Sequence, residues 1–301
     1  MTERARPGIG SVAFIGLGMM GLPMASRLLA AGYQVRGSDL SSDARDAFAE
    51  RGGMAFPTGR QAAERAATLI TMLPDGGIVR DALLGSVGVV DVLDPGALVV
   101  DMSSSAPMET RRLSDDLSEK GVYLIDAPVS GGVRRADNGS LSIMAGGDPA
   151  QIERARPLLE AMGNTVIMTG PVGSGHAAKA LNNYVSAAGL AAACEATFIA
   201  EKFGLDPNVL VDVLNVSTGR NNSTEVKIKP FILSGSFASG FSMALMAKDL
   251  RTAADLAEQL DVHAEGARDA AALWEQALAA LGKSADHTEI YRFLTAKGGK
   301  L

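Results

Sequence analysis

The stretch 11-SVAFIGLGMMGLPMASRLLAAG-32 decides the fold. It opens as a short apolar run and closes with the spacing of a helix. Between the two, Gly16, Gly18 and Gly21 stand in the pattern G-x-G-x-x-G, with Met19 and Met20 completing the turn. A strand that turns on glycine into a helix suits a dinucleotide diphosphate. Gly16 permits the tight turn, Gly18 lets the backbone approach the pyrophosphate, and Gly21 allows close helix–strand packing. The diphosphate then meets the positive end of the helix. Pro23 falls in the first helical turn, where its missing N–H costs nothing. Arg4 and Arg6 ahead of this run give it the outline of a signal peptide. Pro23 and Arg27 interrupt the apolar stretch, however, and the chain continues directly as strand and turn. We read it as cytoplasmic, with residues 1–8 a short lead-in.

Further along, a dinucleotide site needs an acid about 20 residues on. Asp39 follows Gly21 by 18 residues, at the end of a second β-rich run. Its carboxylate would accept from the adenine ribose hydroxyls and repel a 2′-phosphate, so NAD is expected over NADP. Arg36 would point along the strand rather than at that end.

The same alternation continues to Gly170. Strands are expected at 11–16, 34–39, 67–73, 97–103, 122–128, 141–147 and 165–170, with helices at 20–31, 42–51, 59–65, 76–84, 107–120 and 149–162. That order means βαβ units with right-handed crossovers: an α/β fold with a Rossmann-type, doubly wound, largely parallel sheet. After that almost nothing reads as strand. A long interdomain helix is expected at 174–203, stopped by Gly204 and Pro207. Others follow at 206–215, 224–233, 241–260, 263–281 and 286–295. The expected division is a dinucleotide-binding domain over 1–168 and an all-α domain over 169–301.

Composition narrows the function. The 301 residues carry a net charge of −6 and no basic run, which argues against nucleic acid as a partner. Nothing points to a membrane. The one cysteine, Cys194, excludes disulfides and reads as a small core residue. His176, His263 and His287 are scattered without metal-ligand spacing, so no metal is expected.

Two more stretches carry polar chemistry. In 126-DAPVSGG-132, Ser130 offers a hydroxyl and Gly131 and Gly132 offer uncovered backbone N–H groups, at the carboxyl end of a strand where ligands bind. This could cradle a carboxylate; such a sequence is also an ordinary turn. In 173-GSGHAAKALNN-183, Lys179 lies early in an otherwise small and apolar helix. Asn182, Asn183 and Ser186 follow at i+3, i+4 and i+7, on the same face. A lysine desolvated at the start of a helix suits proton transfer. Alone, the pattern equally fits a lysine that keeps its head in water.

Together, "FIGLGMMGLPMA", "ITMLPD", "DMSSSAP", "DAPVSGG", "GSLSIMAGG", "GPVGSGHAAKALNN" and "FSMALMAKDL" resemble the β-hydroxyacid dehydrogenase family over nearly the whole chain. That family includes 3-hydroxyisobutyrate dehydrogenases, tartronate semialdehyde reductases and, more distantly, 6-phosphogluconate dehydrogenase. The resemblance implies NAD(P)-dependent oxidation of a small 3-hydroxy acid to its semialdehyde or keto form, in a homodimer or homotetramer. It implies Lys179 as general acid/base, with Asn183 and Asn182 positioning the substrate. Ser130, Gly131 and Gly132 would hold the carboxylate. Leu73, Pro74 and Ser104 would border the cofactor, and Lys248, fixed by Asp249, would reach it from the helical domain.

The substrate tail is less legible. The segment 215-NVSTGRNNSTE-225 resembles the corresponding loop of 3-hydroxyisobutyrate dehydrogenases more than that of tartronate semialdehyde reductases, the alternative activity. Arg220, Asn221 and Asn222 are polar, so a polar tail is expected to meet Arg220 and Asn222. A catalytically silent dinucleotide-binding module and an imine reductase are the other classes; Lys179 argues against both. The place of His176 is open.

Overall fold

A computed structural model describes residues 11–298; the lead-in read at 1–8 lies outside the described residues. The chain forms two compact units, the first ending at Lys179 and the second beginning at Ala180.

The first unit is built on strands β1 (Val12–Ile15), β2 (Val35–Ser38), β3 (Met54–Phe56), β4 (Thr68–Thr71), β5 (Leu98–Asp101), β6 (Tyr123–Asp126), β7 (Val129–Ser130), β8 (Leu141–Gly146) and β9 (Gly163–Gly170). The order β3-β2-β1-β4-β5-β6 is parallel throughout, the doubly wound arrangement. Beyond it, β8 meets β6 antiparallel at Asp126 and Gly146, β7 pairs β8 antiparallel, and β9 pairs β8 parallel.

Both faces of this sheet are covered, as a parallel sheet requires. Successive residues of β1 point to opposite sides. Val12 and Phe14 join one apolar cluster with Met24, Leu28 and Ile152, while Ala13 and Ile15 join another with Leu69, Val79, Leu83 and Leu117. The helices are α1 (Gly21–Ala30), α2 (Ser42–Glu50), α3 (Gly59–Ala63), α4 (Gly76–Leu84), α5 (Pro107–Ser118), α6 (Gly132–Asn138) and α7 (Pro149–Met162). Ser41, Thr58, Asp75 and Asp148 cap α2, α3, α4 and α7 by accepting from backbone N–H groups, which fixes where each begins.

Helix α8 (Ser174–Phe203) starts in the first unit and runs on into the second. The second unit adds α9 (Pro207–Asn215), α10 (Asn222–Val226), α11 (Met243–Gln259), α12 (Glu265–Leu281) and α13 (Ile290–Gly298). Its core gathers Leu190, Cys194, Ile228, Met246, Leu250, Trp274 and Ile290. The helix expected over 224–233 is divided: α10 stops at Val226, and a π turn follows over Ile228–Leu233. Pro230 lies inside that turn and cannot donate to Val226, so the α ladder does not continue. Among the described residues no helix is long and apolar enough to cross a membrane.

Candidate active site

In the first unit the three glycines separate into two roles. Gly16 has φ +99°, and a Cβ there would lie 2.2 Å from the Met72 carbonyl oxygen. A Cβ on Gly21 would lie 1.8 Å from the Gly16 carbonyl oxygen. Both are glycine because the protein itself fills the space. A Cβ on Gly18 would meet nothing within 4 Å, so its bareness serves space outside the protein. Met20, half-buried, precedes α1 without a side-chain cap, and Met19 is exposed beside it. A cleft of about 660 Å³ opens here, lined by Leu17, Gly18, Met19, Arg51 and Arg134 among others.

Asp39 is tied to this turn. Its Oδ2 accepts from the Leu17 N–H at 2.7 Å and its Oδ1 from the Ser41 N–H at 2.9 Å. Arg36 is occupied elsewhere: it donates to the carbonyls of Gln61 and Glu64 and lies 4.8 Å over the Phe56 ring. The bare glycine, the uncapped helix start and the carboxylate at the end of β2 together fit the diphosphate and ribose of a dinucleotide.

Three further strand ends carry residues expected in the site. The Leu73 N–H donates to Ser103 Oγ at 2.9 Å, and the Ser103 N–H donates to Asp101 Oδ1 at 3.0 Å. Asp101 also accepts from Thr71 and Ser105, so the ends of β4 and β5 are stitched together just before exposed Pro74 and half-buried Ser104. At the end of β7, Ser130 is half-buried, while Gly131 (φ +132°) and Gly132 (φ +68°) are exposed in conformations that favour glycine.

The start of α8 is pinned to the sheet. Asp126 accepts from the N–H groups of Gly173 at 2.7 Å and His176 at 2.8 Å. His176 is buried, with Nδ1 2.8 Å from Thr110 Oγ1 and Nε2 3.7 Å from Asp101. Burial pushes the Asp126 carboxyl above its ordinary range, against the opposing influence of His176. His176 is therefore neither a surface nor a pocket residue but part of the anchor that sets the start of α8. Lys179, half-buried, lies one turn beyond it. Another cleft, about 680 Å³ near Tyr123, Met168 and Pro171, contains none of the residues expected to bind or react.

In the second unit Asp249 is the organising group. Buried on α11, it accepts from Asn183 Nδ2 at 2.5 Å through one oxygen and lies 3.3 Å from Lys248 Nζ through the other. Asn182, exposed, donates to Asn183 Oδ1 at 3.1 Å. Asn183 and Lys248, 65 positions apart in the sequence, are thus held by one carboxylate.

The loop before α10 bonds locally. Arg220 is exposed and pairs with Glu225 at 2.8 Å; Asn222 is the exposed first residue of α10; Asn221 caps it. Lys227, which sequence reasoning passed over, turns inward and donates to Ser186 Oγ at 3.4 Å. No spacing rule marks it, because its direction comes from the break between α10 and the π turn. Among the described residues no cluster of His, Cys, Asp and Glu could hold a metal.

Comparison with known proteins agrees with this geometry. Residues 11–170 match the NAD binding domain of 6-phosphogluconate dehydrogenase. Residues 173–294 match the NAD-binding domain of NADP-dependent 3-hydroxyisobutyrate dehydrogenase. The chain is 37% identical to 2-(hydroxymethyl)glutarate dehydrogenase of Eubacterium barkeri, over 83% of each chain. It is 39% identical to 3-sulfolactaldehyde reductase of Escherichia coli K12, over 84% of this chain and 85% of that one. The solved 3-hydroxyisobutyrate dehydrogenase of Mycobacterium tuberculosis with L-serine superposes with a TM-score of 0.89 at 35% identity, covering 95% of this chain and 99% of that one. The two matched regions span the glycine turn, the strand-end acid and the long helix, the relatives are dehydrogenases and reductases, and the chain belongs to the NAD(P)-dependent β-hydroxyacid dehydrogenase family.

Proposed function

We propose that this protein interconverts a small 3-hydroxy carboxylic acid and its semialdehyde or keto form, with NAD as redox partner. The observation that carries the reading is the pairing along α8. Lys179 and Asn183 lie one helical turn apart, and Asp249 holds the Asn183 amide. When bound, the nicotinamide supplies the hydride acceptor and the protein supplies position and proton. Neutral Lys179 takes the hydroxyl proton during oxidation; its ammonium returns it to the carbonyl oxygen during reduction. Asn183, oriented by Asp249 and assisted by Asn182, positions the reacting oxygen. Ser130, Gly131 and Gly132 hold the carboxylate. Gly16, Gly18, Met19, Met20 and Gly21 would cradle the diphosphate, Asp39 the adenine ribose, and Leu73, Pro74, Ser104 and Lys248 the remainder.

Support for NAD over NADP comes from Asp39, whose carboxylate sits on the glycine turn, and from Arg36, which is engaged elsewhere. Steady-state kinetics on a panel of 3-hydroxy acids with both cofactors tests the whole reading. Turnover of at least one member, with NAD favoured in kcat/KM, is expected. Binding of NADH without turnover of any hydroxy acid would leave only a silent dinucleotide module. Equal efficiency with NADP would remove Asp39 from the proposed role.

We further propose a homodimer or homotetramer. Leu181, Val185, Ile199 and Phe203 leave apolar side chains exposed along α8, and Val209, Val213 and Val216 do the same on and after α9. Exposed apolar surface that recurs along helices marks an interaction face. Light scattering on the purified protein measures this; a monomer at micromolar concentration would sink it.

A further inference from the structure

Lys227 is a cation of the second unit for which the proposed reaction provides no task. Its Nζ donates to Ser186 Oγ, and Ser186 lies seven residues after Lys179, on the face of α8 that carries Asn183. Lys227 is half-buried, and this desolvation pulls its ammonium below the ordinary lysine range. Nearby Lys229 pairs with Asp212 and Lys248 with Asp249, but among the described residues Lys227 has no carboxylate within 4 Å.

The groups facing Lys227 offset its desolvation only in part, and none of them is in contact with its ammonium as a carboxylate. Asp286 is the acid that acts on it. That carboxylate already accepts from Ser239, from the Gly240 N–H and from the Thr288 N–H and hydroxyl; burial raises its pKa, but His287, Thr288 and Ser239 outweigh burial and hold it well below the usual carboxylate range. From α8, Cys194 faces it as a thiol pushed up to about 12 by burial, hence neutral near pH 7. A half-dry ammonium bonded to one neutral hydroxyl is a poor resting arrangement and a good receptor for an oxyanion.

We propose that Lys227 and Ser186 form a subsite for a second anionic group, a carboxylate or a sulfonate, on the tail of the hydroxy-acid substrate. This rests on the assignment of Lys179 to the reacting hydroxyl. It gives the expected polar tail a charge and a site facing inward, whereas Arg220 spends its charge on Glu225 in solvent.

The test compares 2-(hydroxymethyl)glutarate with 3-hydroxyisobutyrate, which share a hydroxymethyl group beside a carboxylate and differ in a carboxyethyl or methyl tail. With NAD and the full chain, kcat/KM should favour the dianion by at least about ten-fold, the scale of a charge-assisted hydrogen bond. Lys227→Met should abolish that preference, mainly through KM, and Lys227→Arg should retain most of it. Ser186→Ala should weaken it in the same direction. Equal losses on both acids in Lys227→Met, or a wild type that prefers the methyl tail, would overturn the subsite. Calorimetry of the NAD-loaded protein with glutarate against butyrate separates this from the reaction itself. Tighter glutarate binding that disappears in Lys227→Met supports the subsite even where no acid is oxidised, an outcome that counts only against the proposed chemistry. Equal glutarate affinity in the two proteins overturns the subsite.

Discussion

The two units organise polar chemistry in different ways. The first does it with backbone at strand ends: glycines that stay bare, N–H groups at a helix start, and carboxylates that orient turns. The second does it with side chains projecting from helices, gathered by one buried acid, Asp249. A backbone site is defined by where the chain turns, so its spacing is strict. A side-chain site on helices needs no fixed spacing, and partners 66 positions apart, Asn183 and Asp249, meet there. The first arrangement suits a constant ligand such as a dinucleotide. The second can be retuned one residue at a time, which suits a substrate that differs between relatives.

Lys179, the last residue of the first unit, gives the largest expected effect on this contrast. In Lys179→Ala the glycine turn and Asp39 are untouched, so NADH affinity measured by fluorescence should stay within about two-fold. Turnover should fall by about 10²- to 10⁴-fold, the usual worth of a positioned acid or base. Turnover that survives would mean that proton transfer does not run through this lysine. Loss of NADH binding would mean that the two kinds of recognition cannot be separated at this residue.

The glycines offer a smaller but more discriminating test. Gly21→Ala puts a methyl 1.8 Å from a backbone oxygen, which α1 relieves only by moving away from β1. Overpacking of this kind costs about 1–3 kcal/mol, and a lower thermal midpoint is expected with or without cofactor. Gly18→Ala meets nothing in the protein. Its midpoint without cofactor should be unchanged, while its KM for NAD rises several-fold. If the two variants lost stability alike, the division between glycines for the fold and a glycine for the ligand would be wrong.

This contrast also accounts for what the sequence made legible. The alternation of strands and helices and the long helix at 174–203 follow from turns, periodicity and caps, all of which are local. Strands β3 and β7 escaped notice because they are three and two residues long, too short for a pattern of alternation to register. The division of the segment 224–233 turns on Pro230, whose cost to the helix was legible but whose π turn was not. His176 could not be placed from its neighbours in sequence. Its burial depends on Thr110, Asp101 and Asp126, which come from three other elements or their ends. Lys227 was missed for the same reason: a lysine beside a loop gives no sign of the direction in which it points.

The smallest expected effect concerns the two buried aspartates that anchor α8 and its neighbours. Asp249 works on side chains, whereas Asp126 accepts from two backbone N–H groups at the start of α8. Burial raises the Asp126 pKa above its ordinary 3.8. The folded protein therefore binds that proton more tightly than the unfolded chain. The resulting stabilisation is complete below 3.8 and is lost as pH rises through the higher folded-state value. An amide at this position does not ionise, although it can accept from only one of the two N–H groups. Asp126→Asn should accordingly be less stable than wild type at pH 4, with the gap in urea midpoint narrowing as pH rises toward 8. The change should be on the order of 1 kcal/mol. A gap that widened instead would mean that the two N–H groups and His176 favour the carboxylate more than burial disfavours it. The start of α8 would then be held by a charge, like Asn183 and Lys248, and this part of the contrast between the units would disappear.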